Sequence, residues 1–318
     1  MPTSIAGMTG PEQLRPGIHI VPIAMPGGPI PYSLCYLIED DRGGVHVVDP
    51  GWSSDENEER LSAAFESIGH TIDDVAQIVI THLHADHLGG ADRLRTASGA
   101  TLVMHAAEQT ALDAPAPAPP LEAWGVPTDR RAELDLPRTV PRLGRPADRL
   151  VTHGDELAVP GRRLRVLHTP GHTAGHICLD EPDAGLVFTG DHVLPTINSG
   201  LGLGGASDSN PIADYLGSLR RVAVLDDREA CPGHERPFRG LAERSAALAE
   251  HQLERAREVA GLLRTEPDAT VWRIASGLTW TAGWPDLAGF ALLSALSQTA
   301  LHRDFVLSGE YEDWQQPQ

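Results

Sequence analysis

Four side chains able to bind a metal fall within six residues of this chain: His82, His84, Asp86 and His87, in the run Thr81-His82-Leu83-His84-Ala85-Asp86-His87-Leu88-Gly89-Gly90. Imidazole nitrogens and a carboxylate, with no thiolate, suit zinc and its first-row neighbours. One ion cannot easily take all four from so tight a turn. Two ions sharing the cluster, completed by ligands from elsewhere, fit better. Such a pair holds a water and lowers its pKa from about 15.7 toward 7, giving hydroxide at neutral pH. One ion also polarises a carbonyl or phosphoryl oxygen and stabilises the developing oxyanion. The alternative is a surface loop that merely happens to be rich in histidine.

The same residue types recur downstream, which argues against that alternative. Thr169-Pro170-Gly171-His172-Thr173-Ala174-Gly175-His176 follows the apolar stretch Leu164–Leu167, and Phe188-Thr189-Gly190-Asp191-His192 follows Gly185-Leu186-Val187. Cys231-Pro232-Gly233-His234-Glu235 follows a weaker strand-like stretch near Asp227–Ala230. Each reads as a short strand running into a glycine turn that exposes a His or an Asp at one sheet edge.

The order H-x-H-x-D-H, P-G-H-T, G-D, P-G-H resembles the metallo-β-lactamase superfamily, and within it the glyoxalase II-like metallohydrolases, over residues 34 to 240. The resemblance implies an α/β fold, a four-layer αββα sandwich. It assigns His82, His84 and His172 to one metal, Asp86, His87 and His234 to the other, and Asp191 to a bridge between them. Asp86 is also the catalytic candidate, to orient the hydroxide or carry a proton to the leaving group. Asp49, in Asp49-Pro50-Gly51, takes the family's supporting role behind the metal loop, with a simple turn carboxylate as the alternative. His176 and His192 neighbour ligands and read as hydrogen-bonding groups rather than ligands.

The elements that position these residues follow the hydrophobic pattern. Residues 1–17 are rich in Gly, Pro and Thr and read as a loose arm, and Ile18–Ile23 alternates like an edge strand. Tyr32–Ile38 and Val45–Val48 form a hairpin around Asp40–Gly44; a helix runs from Asn57 to Ile68, capped near Ser53–Asp55. Val75–Thr81 is the strand feeding the metal loop, and Leu88–Ala97 is a short helix whose opening Gly89 and Gly90 leave room beside the metals. Ala100–Met104 is the next strand, with His105 starting or capping a helix. His19 and His46 lie within strands and read as structural.

Residues 106–150 break this rhythm with the tract Pro115, Pro117, Pro119, Pro120, then Trp124, then an arginine-rich stretch. A connection this long suggests a lid shaping the substrate pocket. Leu157–Val159, Leu164–His168, Ile177–Leu179 and Leu186–Phe188 resume the sheet, and Asp214–Leu225 is an amphipathic helix with Tyr215, Leu216, Leu219 and Val222 as its apolar stripe. From Leu241 the chain turns helical: Leu241–Arg264, Thr270–Leu278 and Leu287–His302, followed by Phe305–Leu307 and Tyr311–Trp314 as a terminal strand pair. This suggests residues 1–240 as a catalytic domain and 241–318 as a mostly helical, winged-helix-like domain. The latter resembles the C-terminal domain of the lactamase-β-like hydrolases, and reads as an element for packing or for homodimerisation.

Composition excludes other classes. The formal net charge is −19, and all 25 basic residues are arginine. That argues against broad attraction to nucleic acid or anionic lipid and rules out Schiff-base or P-loop lysine chemistry. No apolar run is long enough for a membrane span, and three cysteines, Cys35, Cys178 and Cys231, read as reduced thiols in a cytoplasmic protein. No G-x-S-x-G elbow or cysteine-nucleophile motif is present. From Leu194 to Ser209 the chain is glycine-rich and carries no basic residue, so nothing there clamps a phosphate or carboxylate by charge.

The expected activity is therefore hydrolysis of a thioester, ester or lactone of a small-molecule acyl substrate, with two divalent ions, Zn2+ first and Fe or Mn accommodated. A phosphodiesterase or ribonuclease of the lactamase-β-like type is the second reading. A diiron oxidoreductase on the same fold is the third. It fits less well, because the flavodiiron type carries Glu where His84 stands and adds a flavin domain.

Overall fold

The computed structural model describes residues 10–27, 30–114, 117–136, 142–205, 207 and 209–315. Residues 1–9 of the expected arm, Pro115, Arg138 and Asp208 lie outside them.

Two sheets stack face to face. The first has seven strands in sequence order: β1 (Glu12–Arg15), β2 (Ile18–Ala24), β3 (Tyr32–Glu39), β4 (Val45–Val48), β5 (Val75–Val79), β6 (Thr101–His105) and β7 (Arg149–Val151). The second has five, in the order β12 (Glu229–Pro232), β11 (Leu186–Gly190), β10 (Ile177–Glu181), β9 (Leu164–His168) and β8 (Glu156–Leu157). Ile18, Ile20, Leu34 and Tyr36 from the first sheet interlock with Leu164, Val166, Ile177, Leu179 and Phe188 from the second.

Helices cover both outer faces. Over the first sheet lie α1 (Asp55–Ser67), α2 (Ala85–Leu88) and α3 (Ala91–Ser98), through Leu61, Phe65, Leu88 and Leu94. Ser54 caps α1 by accepting from the Asn57 amide. After β6 come α4 (Ala106–Asp113) and α5 (Thr128–Arg131), and over the second sheet lies α6 (Pro211–Ala223), whose buried stripe is the expected Tyr215, Leu216, Leu219 and Val222. Then α7 (Leu241–Thr265) packs on α6, followed by α8 (Val271–Gly277), α9 (Gly289–Leu307) and α10 (Glu310–Gln315). This is the four-layer αββα sandwich, with a helical C-terminal region.

Four expectations are corrected. Part of the arm is strand β1, which pairs antiparallel with β2, so β2 is an interior strand and its residues Ile18–Ile23 are buried. The helix after the metal loop is two pieces, α2 and α3. Gly89 and Gly90 face backbone: a Cβ on Gly89 would clash with the Ala85 carbonyl oxygen and lie 3.2 Å from that of Gly51, which accepts from the Gly90 amide at 2.8 Å, while one on Gly90 would make only ordinary contact with Pro50 and Gly51. The terminal strand pair does not form. Phe305–Leu307 finishes α9 and Tyr311 lies in α10; Phe305 and Tyr311 meet edge to face at 6.1 Å, seated in the cluster beneath α6 and α7. Burial of those rings against helices overrides their local strand preference. Among the described residues no strand follows β12, so the helical region has no wing.

Residues 117–134 lean on the C-terminal helices. Val126 and Leu134 pack with Val271, Leu292 and Leu296, the Trp124 carbonyl accepts from the Trp272 amide at 2.9 Å, and the Arg130 guanidinium sits over the Trp272 ring. His105 caps α4 as expected, accepting from the Ala107 amide at 3.2 Å. The three cysteines are buried and unpaired. Among the described residues no helix is long and apolar enough to cross a membrane.

Candidate metal centre

The strand ends gather all seven sequence-designated ligands at one rim. His82, His84, Asp86 and His87 follow β5; His172 follows β9; Asp191 follows β11; His234 follows β12. On one side, His84 Nδ1 lies 3.0 Å from His82 Nε2 and 3.1 Å from His172 Nε2. The opposite ring nitrogen of each is engaged. His84 Nε2 donates to the Leu203 carbonyl at 3.0 Å and His172 Nδ1 donates to the Gly200 carbonyl at 2.7 Å. Thr81 Oγ1 gives its proton to Asp49 Oδ2 at 2.6 Å, so it accepts from His82 Nδ1 at 3.0 Å. Each ring's proton is thereby fixed on the far nitrogen, and three lone pairs converge on one point.

On the other side, His234 Nε2 lies 3.2 Å and His87 Nε2 3.7 Å from Asp86 Oδ2. Their far nitrogens are also fixed: His87 Nδ1 donates to Asp49 Oδ2 at 2.9 Å and His234 Nδ1 to the Tyr32 carbonyl at 3.0 Å. Asp191 stands between the sides, with Oδ2 3.4 Å from His234 Nε2, 3.7 Å from His172 Nε2 and 4.0 Å from His82 Nε2. Its Oδ1 faces His87 Nε2 at 3.5 Å, and neither atom has a hydrogen-bond partner although both are buried. Buried polar atoms of a well-packed site are rarely left so. Five converging imidazole nitrogens, two carboxylates and these two unpaired atoms fit a pair of divalent cations, and the donor set contains no thiolate.

The electrostatics differ across the site. Burial, reinforced by His87, His84 and His172, holds His82 far below its usual pKa, and burial with the His84 neighbour takes His172 down to about 4. Burial opposes charge on His87 and His234 too, but Asp191, Asp86 and Asp49 raise His87 to about 9, and Asp191 and Asp86 raise His234 to about 11. Asp86 and Asp191 are held well below the carboxylate range: burial opposes this, and the neighbouring imidazoles outweigh it.

Supporting groups lie behind the ligands. Asp49, itself at a left-handed φ of 52°, also accepts the Thr81 amide at 2.8 Å, so one carboxylate ties the metal loop to the end of β4. His176 is buried; its Nδ1 meets Thr169 Oγ1 at 2.8 Å and its Nε2 accepts the Asp191 amide at 3.2 Å. His192 is buried against the Tyr215 ring at 5.0 Å and touches no ligand nitrogen. Gly233 must be glycine, because a Cβ there would come 2.5 Å from both Asp191 Oδ1 and His87 Cε1.

Two contributors escaped the motif reading. Glu108, in the first turn of α4, is wholly buried and accepts from the Leu83 amide at 2.7 Å, Thr173 Oγ1 at 2.7 Å and the Gly175 amide at 2.6 Å. It joins the His82–His87 loop to the His172 loop. Burial pushes its carboxyl up to about 7, against the pull of those three donors. Its only sequence signal is a lone acid in the apolar stretch after His105. The second is the loop 199–205, noted in the sequence for its missing charge, whose carbonyls orient His84 and His172.

The family model for the metallo-beta-lactamase superfamily matches residues 29–234, well over half the chain. The chain belongs to the metallo-beta-lactamase superfamily. Among curated superfamily proteins, it is 32% identical over 51% of its length to a hydroxyacylglutathione hydrolase of Cereibacter sphaeroides. It is 30% identical over 56% of its length to the acyl-coenzyme A thioesterase MBLAC2 of Gallus gallus. These matches span 49% and 62% of the respective relatives, so the chain spans about half to under two thirds of their length. A probable metallo-hydrolase of Bacillus subtilis, YqjP, is 25% identical over 89% of this chain and 91% of its own. Among solved structures, a metallo-beta-lactamase family protein from Thermus thermophilus superposes with a TM-score of 0.73 at 26% identity, covering 93% of this chain and 95% of its own.

Proposed function

We propose that this metallo-beta-lactamase superfamily hydrolase cleaves thioesters, esters or lactones of small acyl groups with two divalent metal ions, zinc first. His82, His84 and His172 would hold one ion, Asp86, His87 and His234 the other, and Asp191 both. When bound, such a pair supplies Lewis acidity toward the substrate oxygen and brings a water toward ionisation at neutral pH.

The chain's own groups supply the rest. Asp86, whose side chain is 17% exposed and paired with His234, would orient the attacking water or carry its proton to the leaving sulfur or oxygen. Addition of that oxygen to the carbonyl carbon and rupture of its bond to the leaving atom then give acid and thiol or alcohol. Asp49 and Glu108 keep the loops from shifting as charge develops.

The observation that carries the acyl reading is the wall beside His84 and His172. The sequence from Val193 to Ile212 holds neither Lys nor Arg, Leu203, whose carbonyl meets His84, is 40% exposed, and the Arg244 guanidinium that docks there is occupied by the Leu194 and Ile197 carbonyls. Two matched relatives are named for acyl substrates, which supports the same class. A polyanion would find few free cations in the arginine-rich segment. Arg130 pairs with Glu133 and donates to the Leu287 carbonyl, Arg131 donates to the Val126 carbonyl, Arg145 pairs with Asp148, and Arg149 donates to the Glu156 carbonyl.

The test is a turnover screen of the zinc-loaded protein on thioester, lactone and bis-phosphodiester chromogens, beside titration with single-stranded RNA. Thioester or lactone turnover with little salt dependence is expected, with RNA bound no better than about micromolar at physiological salt. Submicromolar RNA affinity that collapses on replacing Arg130, Arg131, Arg138, Arg142, Arg145 and Arg149 would overturn the acyl reading.

A further inference from the structure

The C-terminal helical region touches the loop behind the metal centre, and one of its side chains pairs with that loop's backbone. Gln298, on α9, pairs its amide with the backbone of Leu201 in both directions: its Nε2 donates to the Leu201 carbonyl at 2.8 Å, and its Oε1 accepts the Leu201 amide at 3.3 Å. This is the pairing a neighbouring strand would provide, supplied by a side chain to an irregular loop whose backbone groups otherwise lack a partner strand.

The same loop grips two imidazoles. Gly200, next to Leu201, gives its carbonyl to His172 Nδ1 at 2.7 Å, and Leu203 gives its carbonyl to His84 Nε2 at 3.0 Å. The loop's amides return to the other strand end: Gly202 donates to the Gly171 carbonyl and Leu203 to the His172 carbonyl, each at 2.8 Å. α9 also buttresses the loop sterically, because a Cβ on Gly202 would meet Leu301 Cδ1 at 3.0 Å, and the Leu301 carbonyl accepts from the Asn210 side chain at 3.1 Å.

We infer that Gln298 is a positioning residue for the His82–His84–His172 side of the centre, which makes α9 part of the metal site rather than an appended packing element. The physical reason is directional. Each carbonyl fixes both the tautomer and the tilt of its ring, and a ring that rotates loses its ligand lone pair from the common point. The Asp86–His87–His234 side has no such dependence: His87 is held by Asp49 and His234 by the Tyr32 carbonyl. The effect is therefore expected on one ion of the two.

The inference rests on the two-ion reading and is tested by stepwise Zn2+ binding to the full chain in competition with a chromophoric chelator, with Co2+ absorption as a second readout. Gln298→Met keeps the length and apolar contacts but removes both hydrogen bonds. It should weaken one Zn2+ step by about 10–100-fold, leave the other within about threefold of wild type, and alter the Co2+ d–d bands. Gln298→Glu keeps the acceptor for the Leu201 amide but sets an oxygen against the Leu201 carbonyl, so it should weaken the same step and serves if the Met variant does not fold. Phe290→Ala, at a 75% exposed site on the same helix, should change neither step. Two unchanged Zn2+ steps in a folded Gln298 variant, or an equal loss at both, would overturn the positioning role alone. A wild-type chain that takes up no metal would overturn both this role and the two-ion reading.

Discussion

The imidazoles of the two halves of the candidate metal centre are pushed in opposite electrostatic directions. The His82, His84 and His172 rings have their pKa values pulled down by burial and by neighbouring imidazoles, His87 among them, and two of the three are oriented by backbone carbonyls of the loop 199–205. His87 and His234 are pulled up, because Asp86, Asp191 and Asp49 surround them with negative charge. The first half offers neutral donors held by neighbouring loops. The second offers charge, with His87 oriented by Asp49 and His234 by the Tyr32 carbonyl. Damage to the loop 199–205 should fall on the first half, and damage to charge on the second, with Asp191 facing both and Asp49 supporting both from behind.

The largest effect is expected at that shared residue. Asp191→Ala should lower occupancy of both ions, and cost more activity than the roughly 10–100-fold that loss of a supporting partner costs. Elemental analysis should find close to two ions per wild-type chain. A single ion at saturating metal would end the two-ion reading, and an Asp191→Ala protein that keeps one full site would end the bridging role.

Next comes Asp86→Asn, which removes charge from one half and leaves the three converging imidazoles intact. One ion should be lost and the other kept at near wild-type affinity, with turnover falling together with the lost ion. Equal weakening of both Zn2+ steps would break the division drawn between the halves.

Glu108→Ala tests the scaffold side. Three donors, the Leu83 and Gly175 amides and the Thr173 hydroxyl, would lose their acceptor. A loss of about 1–3 kcal/mol of stability per group left unpaired is the upper expectation, less where water enters. Because the clamp joins the His82 and His172 loops, metal affinity should fall on the three-imidazole side. Denaturant melts and chelator competition on the same samples check both numbers, and an unaltered melt would show that the clamp is dispensable.

Trp124→Ala should be milder. Residues 117–134 pack on α8 and α9 rather than on any ligand, so metal content should stay intact while KM or substrate preference shifts. Unchanged kinetics across the substrate panel would reduce this segment to a passive connection.

The smallest effect is expected away from the metals. His302, buried on α9, is the neutral-imidazole case without a carboxylate: burial, only partly offset by the Gln298 carbonyl it donates to, takes its pKa down to about 4. A depressed histidine stabilises the fold above its unfolded pKa of about 6.5, and that contribution is lost as pH falls toward 4, a difference of roughly 3 kcal/mol at most. His302→Leu should therefore lose less stability than wild type between those pH values. Parallel acid-limb slopes in the two proteins would refute it.

The candidate ligands were legible in the sequence because most of them follow an apolar run, His234 after a weaker one, and strand ends in a stacked sheet converge at a rim. Spacing within Thr81–Gly90 and the order of four motifs were enough for the residues, the layers and most element ends. The fate of Phe305–Leu307 and Tyr311–Trp314 was not legible, because short apolar runs suit strand and helix equally, and contact with α6 and α7 decided between them. The clamps were invisible for a related reason. Glu108 lies 25 residues from Leu83 and Gln298 lies 97 from Leu201, and both act on backbone amides and carbonyls, which every residue has. Sequence names the side chains that can do chemistry. Only the tertiary structure determines which buried acid or amide reaches the backbone behind them, because that partnership depends on packing and, the Thr173 hydroxyl on Glu108 aside, on no residue type at the receiving end.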